Sequence, residues 1–315
     1  MRPEERARGL RVIAEERTRR WQGLVERVDT LAASGAPLRT LLVALSPGLA
    51  PTRAFTAVQD WLGKTPRSPR PRTGILLLSG LVGVGKSVAA ARYALETGAT
   101  WTQATALGQL DYARAARTVE RLIAAPHLVL DEIGGPGATG PAGIARVSEV
   151  LVQRHAAGRP VVGTTNLDRD EFVAAYDGLD RNEVEKSRLL DRIKENGAYV
   201  ECKREVSFRV EGGIDPDKVT NRYATAKRGV YLVGLLDAGE TSDEVLDELQ
   251  HMLGCSDDDV ERASNMSGLT PAVRSQIDAL LERLSPGSRR AGSATCGAAP
   301  DQRSLGAYGD MEAIS

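Results

Sequence analysis

Cysteine and histidine each occur only three times in 315 residues. Cys202, Cys255 and Cys296 lie far apart, form no C-x-x-C pair and leave an odd thiol, which argues against a disulfide framework or a zinc site. His127, His155 and His251 have no neighbouring cysteine or second histidine, so none reads as a metal ligand. Long apolar runs are also missing. The longest, residues 75–84 (ILLLSGLVGV), is broken by Ser and Gly and falls far short of the ~20 residues that a membrane span needs. The first 21 residues carry charges every few positions where a secretory signal needs an apolar segment. No internal repeat is visible. The expectation is a soluble chain in a reducing cytoplasm, with no membrane partner. With 42% apolar residues the chain can bury a core, and at ~150 residues per domain it should hold one or two domains with appendages.

Net charge is small as well, at −1, yet it conceals a polarity. Residues 1–72 carry 14 Lys+Arg against 7 Asp+Glu, and residues 235–315 carry 6 against 15. This suggests different partners for the two ends, with a solvated charge run as the plainer alternative.

Leu10, Ile13, Trp21, Leu24, Val28 and Leu31 recur at three- and four-residue steps, predicting one amphipathic helix over residues 1–34 that Ser34-Gly35-Ala36-Pro37 stops. A second helix is expected from about Thr52 to Leu62. The proline-punctuated basic stretch 64–72 reads as an extended linker and a domain boundary; it suits a solvated tether as well as a phosphate contact. Beyond it, strands at about 75–79, 100–102, 127–130, 161–165 and 199–202 alternate with helices at about 86–96, 112–123 and 144–155. Such alternation predicts an α/β fold, a parallel sheet flanked by helices. After about Val210 the strand signals fade. A capping box at Thr241–Glu244 with Gly254 as its helix stop, a helix starting at Ser256–Asp259 and another from Thr270 to Leu284 are expected. From Ser285 onward Gly, Ser, Ala and Arg predominate and predict disorder.

Three short segments carry the chemistry. Gly80-Leu81-Val82-Gly83-Val84-Gly85-Lys86-Ser87 fits G-x-x-x-x-G-K-[ST] between an apolar strand and a helix. Its glycines let backbone N–H groups turn onto phosphate oxygens, Lys86 reaches the terminal phosphates, and Ser87 is placed to ligate Mg²⁺. Leu128-Val129-Leu130 then ends in Asp131-Glu132, where Asp131 suits the Mg²⁺ shell and Glu132 a general base acting on water. Paired acids at a strand end are often only a solvated turn; about 45 residues after such a loop, the catalytic reading gains weight. The strand 161–165 leads into Asn166, an amide that can hold an attacking water, although Thr-Thr-Asn is also an ordinary strand exit.

A phosphate loop, a DE-ending strand and a TTN-ending strand, in that order, resemble an AAA+ ATPase. More closely, DEIG at 131–134, Arg154-His155 ahead of Arg159-Pro160, GTTNL at 163–167, SRLLDRI at 187–193 and SFR at 207–209 resemble the helicase-loader family of DnaC type and its IstB-like transposition relatives. The likeness covers residues 52–210. It implies ATP as the bound nucleotide, Arg192 as an arginine finger reaching a neighbouring subunit of a homo-oligomer, and Arg209 as a second sensor, with Arg188 one turn before Arg192 at the same interface. It further implies single-stranded DNA and a replicative helicase as partners, or a transposase for the IstB-like alternative. A nucleotide-dependent scaffold with negligible turnover is the rival of another class. The Gly- and Pro-rich stretch 134–141 and the acidic segment beyond Val210 depart from the family. The domain scheme that follows is a partner-binding helical region over 1–63, a linker over 64–73, the ATPase core over 74–210, an acidic helical extension over 211–285 and a disordered tail over 286–315.

Overall fold

Alternate residues of one central strand face two different cores. β1 (Ile75–Ser79) is buried along its whole length: Leu76 and Leu78 enter one apolar cluster, Ile75 and Leu77 the other. A strand covered on both sides needs a continuous apolar run instead of alternation, which is what its sequence shows. The computed structural model describes residues 1–46, 52–66, 68, 70–136, 138–177, 188–202 and 216–265. Among these the sheet has five strands, all parallel, with β2 (Thr100–Gln103), β3 (Leu128–Ile133), β4 (Val161–Thr165) and β5 (Ala198–Glu201) placed in the order β2-β3-β4-β1-β5. β1 and β4 are therefore neighbours, and the ends of β1, β3 and β4 lie side by side. This is the expected α/β arrangement, a parallel sheet flanked by helices, and all five strands fall within three residues of their expected bounds.

On one face lie α2 (Leu38–Ala44), α3 (Arg53–Trp61) and α4 (Lys86–Thr97); their Leu41, Val58, Trp61 and Tyr93 share a cluster with Leu76 and Val129. The other face carries α5 (Ala104–Gln109), α6 (Tyr112–Ala124), α7 (Pro141–Ala156), α8 (Arg169–Asp177) and α9 (Arg188–Asn196). The helices α2, α5 and α8, of seven, six and nine residues, are absent from the sequence expectation. At seven and six residues, α2 and α5 are too short for a 3.6-residue period to stand out.

Contacts divide the chain into two units, Trp21–Lys227 and, separately, Met1–Arg20 with Arg228 onward. The divisions fall inside α1 (Pro3–Ala33) and α10 (Pro216–Asp237), not at the expected boundary over 64–73. That basic stretch is not an extended tether. Gly63 turns the chain with φ 72°, the Thr65 hydroxyl donates to Asp60, Lys64 pairs with Glu96, and Arg72 N–H donates to the Trp61 carbonyl at 2.9 Å. Local polar partners hold the described residues of this stretch against α3 and α4.

The apolar stripe expected on the N-terminal helix is not all free for a partner. Val28 and Leu31 are buried in the same cluster as α2, α3 and α4, so this part of α1 packs with the helices that cover the sheet. Leu41→Ala is therefore expected to cost about 2–5 kcal/mol, because Leu41 is fully buried; a melting curve unchanged from wild type would contradict its place in the core.

In the other unit the opposite charges of the chain's two ends meet each other. Arg6 donates to Asp247 Oδ1 and Gln250 Oε1 at 2.6 Å, on α11 (Asp243–Leu253), and Arg17 donates to the Leu253 carbonyl at 2.6 Å. Arg11 bonds the Leu236 carbonyl and lies 3.6 Å from Asp237. Gly9 runs so close to α12 (Asp257–Asn265) that a Cβ there would sit 2.2 Å from the Val260 carbonyl oxygen. The polarity of the sequence, read as two partners, is thus at least partly spent within the chain. Gly254 ends α11 with φ 65°, as expected, but the capping box expected at Thr241–Glu244 does not form; Ser242 stands at the N-cap without a side-chain bond. A reciprocal box joins Ser256 and Asp259 instead, at 3.0 and 3.3 Å. The helix expected from Thr270 and the tail lie outside the described residues.

Candidate functional site

Gly80, Gly83 and Gly85 have φ of 137°, 95° and 86°, conformations that L side chains rarely adopt. At Gly80 a Cβ would also lie 2.3 Å from the Cys202 carbonyl oxygen. These turns carry the chain from β1 into α4, whose N-cap is Gly85 with no side-chain cap. Its first N–H groups therefore remain available to an anion, with the positive end of the helix behind them. Val84 contributes backbone, since its side chain is buried in the core.

Lys86, the first residue of α4, is 6% exposed. Its Nζ donates to the Gly80 carbonyl at 2.5 Å, the Leu81 carbonyl at 2.8 Å and Asn166 Oδ1 at 3.1 Å. Burial lowers its pKa. The loop lysine and the amide at the end of β4, 80 residues apart in sequence, are thereby in contact. Ser87 Oγ donates to Asp131 Oδ1 at 3.0 Å, and Thr164 Oγ1 donates to the same oxygen at 2.5 Å. Asp131 is 3% exposed; burial pushes its carboxyl up, opposed by the Thr164 and Ser87 hydroxyls, the Glu132 N–H and the nearby Lys86 charge. Glu132 is exposed, with φ 59°.

These groups open onto one cavity of about 740 Å³ lined by Gly83, Gly85, Lys86, Ser87, Asp131, Glu132 and Asn166. Its remaining wall includes Thr40 and Val43 of α2, Thr52 and Phe55 at the start of α3, and Gln103. Sequence reasoning singles out none of these wall residues. The lining thus combines polar and charged groups with an aromatic and an aliphatic side chain, a mixture that suits a phosphorylated planar ligand.

Ser87 and Asp131 offer two hard oxygen donors at hydrogen-bonding distance, a set suited to Mg²⁺ when phosphate oxygens and water complete the shell. Among the described residues no group of three or more His, Cys, Asp or Glu could hold a metal by itself. Arg192 lies on α9, half-buried, and is not among the cavity's lining residues; its Nη1 is buried with no hydrogen-bond partner among the described residues. The Arg188 side chain and all of Arg209 lie outside the described residues.

No family model matches the sequence, and no curated protein matches it. Among solved structures, DnaI is similar over 51% of this chain and 93% of its own, at 18% identity and a TM-score of 0.41. The DnaC helicase loader is similar over 48% of this chain and 89% of its own, at 18% identity and a TM-score of 0.32. AMPPCP-bound DnaA from Aquifex aeolicus is similar over 75% of this chain and 69% of its own, at 13% identity and a TM-score of 0.39. Among the described residues no helix is long and apolar enough to cross a membrane.

Proposed function

We propose that the chain binds and hydrolyses ATP with Mg²⁺, and that nucleotide state governs its assembly with partners in DNA replication, in the manner of a helicase loader. The observation that carries the nucleotide reading is the convergence of Lys86, Ser87, Asp131, Glu132 and Asn166, from two strand ends and one helix start, on a single cavity. The loop glycines and the start of α4 bind the phosphates. Lys86, now on two loop carbonyls, exchanges them for phosphate oxygens and keeps Asn166 beside the terminal one. Ser87 and Asp131 would hold Mg²⁺, which neutralises phosphate charge when bound. Glu132, exposed at the cavity, accepts the proton of the attacking water, and Asn166 orients that water. Phe55 and Val43 cover the base. Arg192 from a neighbouring copy and Arg209 stabilise charge in the transition state.

The replicative setting, with single-stranded DNA and a replicative helicase as partners, rests on the GTTNL, SRLLDRI and SFR segments. A surface suited to nucleic acid exists on α6, where Tyr112 is 89% exposed and Arg114, Arg117 and Arg121 are exposed along the helix. The test is phosphate release by the purified full chain, with and without single-stranded DNA. ATP-dependent release that rises with DNA is expected. Tight ATP binding with no release under either condition would favour the scaffold, and absence of ATP binding would end the nucleotide reading.

A further inference from the structure

β3 and β4 run in register through Leu130 and Gly163, then lose it: Ile133 stands opposite Thr165. Three steps along β3 are matched by two along β4, so Asp131 and Glu132 together face the single residue Thr164. A bulge of this kind leaves a backbone group without its ladder partner. Here the Glu132 N–H donates to a side chain instead, Thr164 Oγ1, at 3.1 Å. The same hydroxyl spends its proton on Asp131 Oδ1 at 2.5 Å. One hydroxyl can donate once and accept as well, and Thr164 does both. It is 2% exposed, so water does not readily replace it.

We propose that Thr164 is the positioning residue of the acidic pair, with its hydroxyl joining the carboxylate of Asp131 to the backbone of Glu132. The proposal rests on the ATPase reading above and deepens it. The backbone of Glu132 lies in the left-handed region, φ 59°, which a residue with a Cβ adopts only when its surroundings impose it. The bond to Thr164 is an imposing contact at that residue. It turns the chain so that Glu132 faces the cavity while Asp131, one residue earlier, stays buried beside Ser87. A β-branched side chain suits the task, because few rotamers are open to it in a strand and its hydroxyl is held where both partners need it. The neighbouring Thr165 serves a different turn: its hydroxyl donates to the Ile133 carbonyl at 2.7 Å and accepts the Leu167 N–H at 3.1 Å, on either side of Asn166. Thr164 borders the same cavity, but its hydroxyl is committed to Asp131 and to the Glu132 N–H, and it acts through the acids.

The experiment uses the full chain with Thr164→Val, which keeps the shape and removes the hydroxyl, and Thr164→Ser, which keeps the hydroxyl. Three quantities are read: ATP affinity in EDTA, the Mg²⁺ concentration that restores full affinity, and kcat with KM. For Thr164→Val, ATP affinity in EDTA stays near wild type, the Mg²⁺ requirement rises, and kcat falls about 10-fold or more with little change in KM, as loss of a supporting hydrogen bond does at metal sites. Thr164→Ser regains most of the lost kcat and the wild-type Mg²⁺ requirement. Wild-type kcat and Mg²⁺ dependence in Thr164→Val would overturn the proposal, as would a loss that Thr164→Ser fails to restore. Thr164→Ala carries the same readings should Thr164→Val not fold. If the wild-type chain neither binds nor hydrolyses ATP, the nucleotide reading falls and this proposal with it; an active wild type with an equally active Thr164→Val removes the proposal alone.

Discussion

Glu132→Gln is expected to leave ATP bound and to lower its hydrolysis by about 10²–10⁴-fold, whereas Lys86→Ala should lose the nucleotide itself. The difference follows from where the two charges sit. Lys86 is almost fully buried, with its ammonium on two loop carbonyls and Asn166, at the level the proposal gives to the phosphates. Its charge acts on the ground state. Glu132 is exposed at the cavity and takes no part in the bonds that fix Lys86, Ser87 or Asp131 except through its backbone N–H. An amide of the same shape preserves that N–H and removes only the basic oxygen. ATP affinity by fluorescence or calorimetry, set beside phosphate release, separates the two roles. Wild-type turnover in Glu132→Gln would show that another group activates the water.

The phosphate loop is legible in the sequence because all its determinants are local: the apolar run of β1, three glycines with positive φ and the lysine that starts α4 occupy twelve consecutive residues. The placement of the acid pair is legible because an apolar strand of a parallel sheet that ends in two carboxylates, with such a loop before it, brings them to the cavity that Lys86 and Ser87 line. What lies beyond sequence reading is non-local. Nothing in Thr40, Val43 or Phe55 announces that α2 and α3 return to the mouth of a loop some 30–40 residues later, and short helices leave little periodic trace. Thr164 is hidden for a related reason. Its role comes from a two-against-one bulge between β3 and β4, which is a property of the pair and of neither strand alone. The basic stretch 64–72 misleads in the opposite direction. Prolines and arginines predict an extended tether, but Gly63 and Thr65 bond Asp60 of α3 and Lys64 pairs with Glu96 of α4. Charge polarity misleads likewise, since Arg6 and Arg17 of the basic end are bonded to residues of the acidic one.

Arg192→Ala is expected to keep ATP affinity and to lower the rate by about 10³–10⁵-fold, the factor a finger supplied in trans contributes in other P-loop enzymes. Leu189 and Ile193, one turn apart on α9, are both buried, which fixes the rotation of that helix. Arg192 precedes Ile193 on its flank, half-buried, and the cavity of its own chain is built without it. Its Nη1 lies buried with no hydrogen-bond partner among the described residues. A guanidinium nitrogen held away from water without an acceptor is costly, and an acceptor brought by a neighbouring copy would relieve that cost. The competing account gives Arg192 a surface role beside Asp191 or Glu195, where an exposed pair contributes under about 1 kcal/mol and its loss hardly alters a rate. Glu195 already has His155 Nε2 at 3.7 Å from its carboxylate. Mixing decides between the two. Arg192→Ala retains a working phosphate loop and Lys86→Ala a working finger, so the two variants, each inactive alone, should regain part of the ATPase activity when combined. Samples shown to co-assemble that recover nothing at any mixing ratio would count against a shared site and favour a nucleotide switch that works within one chain.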